Sequence, residues 1–394
     1  MQLLLVCAIA AAFMTSNNMV DPLAPLAASA LHASPALVGL VIGAGSLAPL
    51  ALAVPAGAFT DRVGSKRLTV PSLLAIVAGT GLTAGNFGLG GLTLGLVLKG
   101  LGQFGGTLGL QAFVAHIPGR SRNETFAIFA VAAAVGGLCG PALAGALAAR
   151  SGLSTAFWWA TGLAALAAGL GFLIDGRTAD GSGVRVRPRA TLVAAGQLLR
   201  TPAIGTAVWT TSAILFADVL TGSFYPVLLA QRGVALGTIG LLISLRGLAS
   251  FAVRPSIAGL TRRMDRWWLV VAAMAAEVVG TATVPLSAAM ALQIPAALLC
   301  GVATGFNQPL SMAVVADHAP PGQRSSALAM RLAGNRMALL LSPLLLGLVV
   351  TGFGLPAAFA VAALFPLGAA VYVLRFQARG GEAAATRHEV QSAG

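Results

Sequence analysis

Long stretches without charge recur along this chain and leave almost no room for a water-soluble domain. Only 9% of its 394 residues are Asp, Glu, Lys or Arg, and 57% are hydrophobic. Soluble domains contain about 25% charged residues and about 45–50% apolar ones. Because about 20 apolar residues in a helix cross a bilayer core about 30 Å thick, the sequence predicts an all-α membrane protein.

The breaks between the uncharged stretches predict twelve transmembrane helices, each close to the length that spans a bilayer. The first helix has polar residues near its middle, which is not typical of a cleaved signal peptide. Since it has no basic leader, we expect the natural start codon upstream of Met1. The predicted helices cover residues 2–29, 36–58, 68–87, 92–115, 126–148, 154–174, 203–228, 236–258, 267–288, 294–316, 326–350 and 356–374.

A polar segment at the midpoint divides the chain into two halves. Residues 175–200 carry five arginines, and we expect an amphipathic stretch at 190–199 to lie on the membrane surface. The predicted organisation is an N-terminal six-helix half at 1–175, a cytoplasmic linker at 176–202, a C-terminal six-helix half at 203–375 and a cytoplasmic tail at 376–394.

The two halves share residues at a nearly constant offset, which indicates an internal duplication. The matched pairs are Pro25 with Pro226 and Gly39 with Gly240 at an offset of 201, and His116 with His318, Pro141 with Pro343 and Gly145 with Gly347 at an offset of 202. The fold prediction is therefore two pseudo-symmetric six-helix bundles. In transporters built from such repeats, the substrate binds near the midplane between the halves, and one half rocks against the other.

Basic residues are concentrated in a few connections. The net charge of +13 could indicate nucleic-acid binding, but 17 of the 24 basic residues fall in the predicted cytoplasmic segments. Two others, Arg150 and Arg232, fall outside, and five lie within apolar stretches. This bias is typical of multi-pass membrane proteins. It predicts a bacterial-type inner-membrane location, both termini in the cytoplasm and no nucleic-acid partner.

A glycine- and charge-rich motif follows the second predicted helix. Residues 57–67 read GAFTDRVGSKR, which resembles the loop signature of the major facilitator superfamily, Gly-x-x-x-Asp-Arg-x-Gly-x-Lys/Arg-Arg. The resemblance implies the superfamily's twelve-helix fold and a gating role between its two conformations. The alternative, an ordinary basic cytoplasmic loop, explains the charges without the glycine spacing. The motif residues are Gly57, Asp61, Arg62, Gly64, Lys66 and Arg67.

The fifth predicted helix carries a second motif. Residues 136–145 read GGLCGPALAG and resemble the Gly-x-x-x-Gly-Pro-x-x-x-Gly stretch of the superfamily's proton-coupled exporters. The chain is therefore similar to the drug/proton antiporter-like branch, although generic small-residue packing is the alternative. That branch often has an arginine and a Gln-Gly pair in the fourth helix, where Lys99 and Gly102-Gln103 are the nearest equivalents. The motif residues are Gly136, Gly140, Pro141 and Gly145.

Three carboxylates within apolar helices are the candidates for proton coupling. An intramembrane ionisable residue is a functional hypothesis by default, because a charge there is costly. Asp218 in the seventh helix is the principal candidate, followed by Glu277 in the ninth and Asp21 in the first. The alternatives are a hydrogen-bonded packing role for Asp218, a structural ion pair with Arg246 for Glu277, and a capping role near the outer water boundary for Asp21.

Polar side chains recur on single faces of several predicted helices. The fourth helix has four polar residues at strict four-residue spacing, which places them on one face, and a lipid-facing helix would not carry such a stripe. Because intramembrane cations outnumber acids, we expect an anionic or zwitterionic substrate. Hydrogen bonds between helices and, for Arg331, snorkelling to the cytoplasmic surface are the alternatives. The expected cavity residues are Asn17, Asn18, Gln103, Thr107, Gln111, Thr221, Tyr225, Arg246, Asn307, Gln308, Arg331, Asn335 and Arg336.

Functions other than solute transport have little support in the sequence. Neither lysine stands in a phosphate-binding Gly-Lys-Ser/Thr loop, and the four histidines lie at helix ends, in loops or in the tail. The three cysteines stand singly. We therefore expect no ATP-driven pump, enzyme, metal site or cofactor. The prediction is a monomeric carrier in the lipid bilayer that exchanges protons for a small-molecule substrate and exports it. Proton-coupled uptake of an organic anion is the alternative, and a non-transporting scaffold protein is a third.

Overall fold

The computed structural model describes residues 2–63, 65–115, 117, 122–174, 201–319 and 324–392. It describes the side chains of these residues except at 48, 51–63, 122–123, 221, 316, 324–326, 328–329, 376 and 378–392. All regular structure in this part of the chain is helical. The helices are α1 (Gln2–Ala30), α2 (Pro35–Val63), α3 (Ser65–Ala84), α4 (Gly88–Val114), α5 (Arg122–Phe172), α6 (Pro202–Ser223), α7 (Tyr225–Gln231), α8 (Leu236–Ala252), α9 (Ile257–Arg263), α10 (Arg266–Thr283), α11 (Met290–His318), α12 (Arg324–Phe353) and α13 (Leu355–Ser392).

The length and composition of these helices account for the predicted crossings. Within the described residues, eight helical stretches are long and apolar enough to span a bilayer. One of them, Glu124–Phe172, has 49 residues, which is enough for two crossings of about 20 residues each. It bends at Gly152, whose φ of 84° favours glycine. Helices α2, α4 and α10, of 29, 27 and 18 residues, complete an arrangement consistent with the predicted twelve-helix membrane fold.

Proline accounts for two interruptions that differ from the predicted helices. The sequence predicts one seventh helix at 203–228, but the structure divides it into α6 and α7 at Phe224. Pro226 has no N–H to donate to the preceding turn, so the helix is broken there. The next helix, α8, ends at Ala252 rather than continuing as predicted, and a proline-containing 3-10 turn follows at Arg254–Ser256.

The helix ends define two faces of the bundle. The arginine-rich face contains the ends of α2, α4, α5, α9 and α11 and the starts of α3, α5, α6, α10 and α12. The opposite face contains the short turns after α1, α3, α7, α10 and α12, together with the bend at Gly152. By the positive-inside rule, we expect the arginine-rich face to lie in the cytoplasm.

The halves share an apolar core at one end of the molecule. Near the opposite face, one cluster of buried residues joins Leu23 and Val38 of the N-terminal half to Leu242 and Leu346 of the C-terminal half. Toward the arginine-rich face, the described core residues form separate clusters, one in the N-terminal half and two in the C-terminal half. The halves are therefore packed together mainly at the opposite face.

Two helix crossings between the halves depend on glycine. Where α2 meets α12, a methyl group on Gly39 would overlap the carbonyl of Pro343 and lie 3.2 Å from the Cα of Gly347. Where α5 meets α8, a methyl group on Gly240 would lie 3.0 Å from the Cα of Gly145. Small residues at such positions let helix backbones approach closely. Because the sequence repeat matches Gly39 with Gly240 and Gly145 with Gly347, the two crossings are symmetry-related.

Candidate functional site

A cavity of about 730 Å³ lies between the two halves. Its walls come from α1, α2, α4 and α5 of the N-terminal half and from α6, α8 and α12 of the C-terminal half. The predicted site residues that line it are Asn18, Asp21, Gln103, Thr107, Gln111, Pro141, Asp218, Arg246 and Arg336. The cavity lies between the paired repeats, where such transporters bind their substrates.

Helix α4 supplies a polar wall to the cavity because its two faces differ in composition. Lys99, which starts the four-residue polar stripe, lines the cavity with the three polar residues that follow it. On another face, methyl groups added at Gly95 or Gly102 would collide with atoms of α3. The glycines thus seat α4 against α3, and the stripe is left facing the space between the halves.

An ion pair joins α1 to α4 within the N-terminal half. The Lys99 ammonium donates to the Asp21 carboxylate. Lys99 is buried, whereas the Asp21 side chain is about half exposed. A buried cation without a partner would be strongly destabilising, so Asp21 provides the compensating charge at the cavity wall.

A second ion pair joins α6 to α8 within the C-terminal half. The Arg246 guanidinium pairs with the Asp218 carboxylate, and both residues line the cavity. The sequence predicts Glu277 as the partner of Arg246, so the observed pair differs from that prediction. Glu277 is fully buried on α10 and lies close enough to Arg246 for an electrostatic interaction.

Arg336 is the third cation of the cavity, and it contacts the other half of the molecule. Its guanidinium carbon lies 5.3 Å from the ring centroid of Phe104 on α4, within the range of a cation–π interaction. No carboxylate in the described part of the chain forms an ion pair with Arg336. The described cavity wall therefore carries two carboxylates, Asp21 and Asp218, and three cations.

Several predicted cavity residues lie elsewhere in the structure. Asn17 is buried in α1 and donates to the Phe13 carbonyl at 2.8 Å. Gln308 is exposed on α11, and Tyr225 lines a separate small chamber. The side chain of Thr221 is outside the described residues. Helical spacing identifies a shared face, but the neighbouring helices decide what that face contacts.

The remaining predicted cavity residues, Asn307, Arg331 and Asn335, belong to a buried polar cluster in the C-terminal half. Asn307 donates to the Thr211 carbonyl at 3.3 Å, and Arg331 donates to the Ser311 hydroxyl at 3.0 Å. Asn335 is buried on the same helix as Arg331. The snorkelling considered for Arg331 does not occur, because its side chain is only 6% exposed and bonds to a hydroxyl on α11.

The gating motif is described in part. Lys66 donates to the Phe172 carbonyl at 2.8 Å and so ties the start of α3 to the end of α5. Arg67 is exposed. The side chains of Asp61 and Arg62, the surroundings of Gly57, and the whole of Gly64 lie outside the described residues. The gating role therefore stays a prediction.

The antiporter-like motif contacts both halves. Methyl groups at Gly136 and Gly140 would collide with Met14 and Asn18 of α1, so these glycines seat α5 against a cavity helix. Farther along, Pro141 lines the cavity, and Gly145 reaches α8 at the glycine crossing described above. One motif thus connects the cavity wall to the contact between the halves.

Sequence reasoning misses some of the cavity wall. Phe104 is absent from the predicted site, because one aromatic residue in an apolar helix carries no distinguishing pattern. Ser46 and Pro49 of α2 and Ser223 of α6 also line the cavity. A serine in a membrane helix is equally compatible with helix packing, and a proline with a helix bend, so these three residues carried no usable signal.

Comparisons with known proteins place the chain in a family. The family model of the Major Facilitator Superfamily matches residues 6–292 and 208–391. The inner membrane transport protein YajR of Escherichia coli (strain K12) is 30% identical over 132 residues. That alignment covers 32% of this chain and 28% of YajR, less than two thirds of that relative's length.

Solved structures share the fold at low sequence identity. The nucleoside transporter NupG has a TM-score of 0.78 and 14% identity, with 95% of this chain and 99% of that chain covered. An inward-facing, unoccupied bacterial homologue of the human lysosomal transporter Spinster has a TM-score of 0.72 and 15% identity, with 94% of each chain covered. The human organic anion transporter MFSD10 has a TM-score of 0.61 and 19% identity, with 94% and 98% covered. The chain therefore belongs to the Major Facilitator Superfamily, whose members are membrane transporters rather than enzymes.

Proposed function

We propose that this chain is a proton-coupled secondary transporter that exports a small anionic or zwitterionic organic solute by alternating access. The observation that carries the proposal is the charged cavity between the halves, in which each half contributes one acid–base pair. Ionisable residues inside membranes mark substrate and proton pathways. An inert packing interface would not need the five charged groups that line this cavity.

The charge of the cavity supports an anionic or zwitterionic substrate. Lys99 and Arg246 each have a carboxylate partner, whereas Arg336 contacts an aromatic ring. A guanidinium binds carboxylate or phosphate through two parallel hydrogen bonds. Arg336 is therefore the proposed anchor for an acidic group of the solute, and Asp21 and Asp218 provide positions for an ammonium group.

Asp218 is the proposed coupling carboxylate. It lines the cavity as one half of an ion pair, so both closure of the cavity and arrival of a charged solute change its surroundings. Removing water from a charged group costs free energy, and this cost is offset only if the group keeps an oppositely charged partner. Proton binding at Asp218 and solute binding at Arg246 are then linked, and each alters the affinity for the other by the same factor.

The direction of transport rests on the antiporter-like motif, residues 136–145, and on the sign of the coupling. An ammonium group that occupies Asp218 displaces a proton, which is the exchange expected of an exporter. An acidic group that occupies Arg246 leaves Asp218 without its counter-ion and favours proton binding, which is the coupling expected of an anion importer. The Arg336 guanidinium, which forms no ion pair with a described carboxylate, favours this second function, proton-coupled anion uptake, as the alternative candidate.

Proteoliposomes decide between the two directions. A panel of small acids, amino acids and amines is first screened by thermal stabilisation of the purified protein, and the ligands found are then offered to vesicles with an imposed pH gradient. Export by exchange predicts that solute accumulates in the more acidic compartment. Uptake with protons predicts accumulation in the more alkaline compartment. Absence of any gradient-driven accumulation, with ligands that bind, would contradict proton coupling.

A further inference from the structure

A buried carboxylate behind Arg246 is not used by the proposed transport cycle. Glu277 of α10 is 0% exposed, and its Oε1 accepts a hydrogen bond from the Thr281 hydroxyl at 3.3 Å. Its Oε2 has no hydrogen-bond partner among the described residues. Buried polar atoms normally have a hydrogen-bond partner. We therefore expect Oε2 of Glu277 to bind a group that is not among its described contacts.

A small chamber shares Arg246 and Cys300 with the surroundings of this carboxylate, although Glu277 itself does not line it. Its volume is about 20 Å³, its polar lining comes from Tyr225, Arg246 and Cys300, and five apolar residues complete its wall. A volume above about 10–15 Å³ admits one water molecule if polar groups surround it. The Tyr225 hydroxyl is buried without a described partner, and the Cys300 sulfur lies 3.9 Å from the Thr281 hydroxyl that bonds to Glu277. The chamber therefore connects Arg246 with the surroundings of Glu277.

One guanidinium thus interacts with two carboxylates whose surroundings differ. Asp218 lies toward the cavity and forms the ion pair, and Glu277 lies toward the protein interior within electrostatic range. The other ionisable groups around Glu277 in the described structure, Cys300 and Tyr225, carry no positive charge. An uncompensated charge in such a site is strongly unfavourable. The group of Asp218, Arg246 and Glu277 is electrically neutral only if it holds one proton.

We propose that Glu277 is a second proton-binding site and that Arg246 alternates between Asp218 and Glu277 as the proton moves. In the arrangement seen here, Arg246 pairs with Asp218 and the proton resides on Glu277. In the second arrangement, Asp218 holds a proton taken up from the cavity and Arg246 pairs with the deprotonated Glu277. The group holds one proton in each arrangement, so both arrangements are neutral. This inference rests on the proposed function and adds a proton position behind the cavity.

Infrared difference spectroscopy of the purified protein in the absence of solute tests the proposal. The absorption of a protonated carboxylic acid, identified by its shift in D2O, is compared between the wild type and variants at pH 7. Glu277→Gln should remove one such acid. Asp218→Asn should also remove it, because Arg246 is then free to pair with Glu277. Arg246→Met should add one acid, since both carboxylates then lose their counter-ion.

The matched control is Asp21→Asn, which changes the other acid–base pair of the cavity and should leave the absorption unchanged. Persistence of the wild-type band in Glu277→Gln would place the proton elsewhere and overturn the site. Its persistence in Asp218→Asn would overturn the alternation of Arg246. If Glu277→Gln does not fold, the Asp218 and Arg246 variants still test the proposal with Glu277 intact. Because no solute is used, failure here is distinguishable from failure of transport, which is read from gradient-driven accumulation.

Discussion

At the level of single residues, the cavity contains two kinds of cation. Lys99 and Arg246 each pair with a carboxylate, whereas the described contact of the Arg336 guanidinium is the Phe104 ring. A cation–π contact is worth roughly 0.5–2 kcal/mol, and a hydrogen bond to a charged group about 1.5–3 kcal/mol. An acidic solute can therefore replace the ring as the main partner of Arg336.

Arg336→Gln should weaken binding of acidic solutes more than of neutral analogues. Loss of a charge-assisted hydrogen bond predicts a difference of about 1–3 kcal/mol, or about 5- to 150-fold in affinity, measured by calorimetry on matched acid and amide ligands. The control is Arg331→Gln, because Arg331 is buried outside the cavity against Ser311. Equal losses for acid and amide would assign Arg336 a structural role.

Asp218→Asn should abolish solute accumulation driven by a pH gradient while downhill exchange continues. The substitution keeps the size of the side chain but removes its capacity to bind and release a proton. Both rates are measured in the same proteoliposomes. Asp317→Asn serves as the control, since Asp317 pairs with Arg266 away from the cavity. Accumulation against the gradient by the Asp218 variant would exclude it as the coupling residue and leave Glu277 as the next candidate.

At the level of helices, glycine has two structural roles. Glycines of α4 seat it against α3 within one half, and this packing leaves its polar stripe facing the cavity. Glycines at the α2–α12 and α5–α8 crossings instead join the two halves near the opposite face. The second group must separate if that face is to open, so we expect these crossings to control the proposed conformational change.

Gly39→Ala and Gly240→Ala should each shift the protein toward a state that is open at the opposite face. The added methyl group would overlap the backbone of the partner helix, and overpacking costs about 1–3 kcal/mol. Distances between spin labels at Leu37 and Phe353 should lengthen in both variants. Gly137→Ala is the control, because nothing lies within 4 Å of its added methyl group. Unchanged distance distributions would remove the proposed control by the crossings.

At the level of the whole molecule, the described residues join the two halves through one apolar cluster near the opposite face and form separate cores toward the arginine-rich face. This asymmetry is expected of a carrier that is closed at the opposite face and open toward the arginine-rich face. If the arginine-rich face is cytoplasmic, the cavity is accessible from the cytoplasm. The orientation of the protein in the membrane therefore decides whether the observed conformation faces the inside or the outside of the cell.

Labelling of introduced cysteines should establish that orientation. In a variant without Cys7, Cys139 and Cys300, a membrane-impermeant maleimide added to intact cells should label Arg150→Cys, which lies near the opposite face. Arg67→Cys on the arginine-rich face should react only after the cells are permeabilised. Both native arginines are exposed, so access to the reagent reports the side of the membrane. The reverse pattern would invert the predicted topology.

The sequence by itself determined the helical architecture and its two related halves. Apolar length alone predicts where a chain crosses a bilayer, and most helix bounds agree with that prediction within about five residues. The exceptions are the prolines that interrupt the seventh and eighth predicted helices, the bend at Gly152 that joins the fifth to the sixth, and α13, which continues to Ser392 through the predicted tail. The glycines matched by the repeat prove to be the points where the halves cross. The four-residue stripe of α4 also defines one face without any knowledge of its neighbours.

Only the tertiary structure decided which side chains meet. Periodicity gives the face of a helix but not the helix opposite it, so the sequence paired Arg246 with Glu277, whereas the structure pairs it with Asp218. For the same reason, Arg331 was compatible with a surface position until the packing of α11 against α12 placed Ser311 within hydrogen-bond distance. Pairing depends on the rotation and depth of two helices at once, and no single segment of the sequence contains that information.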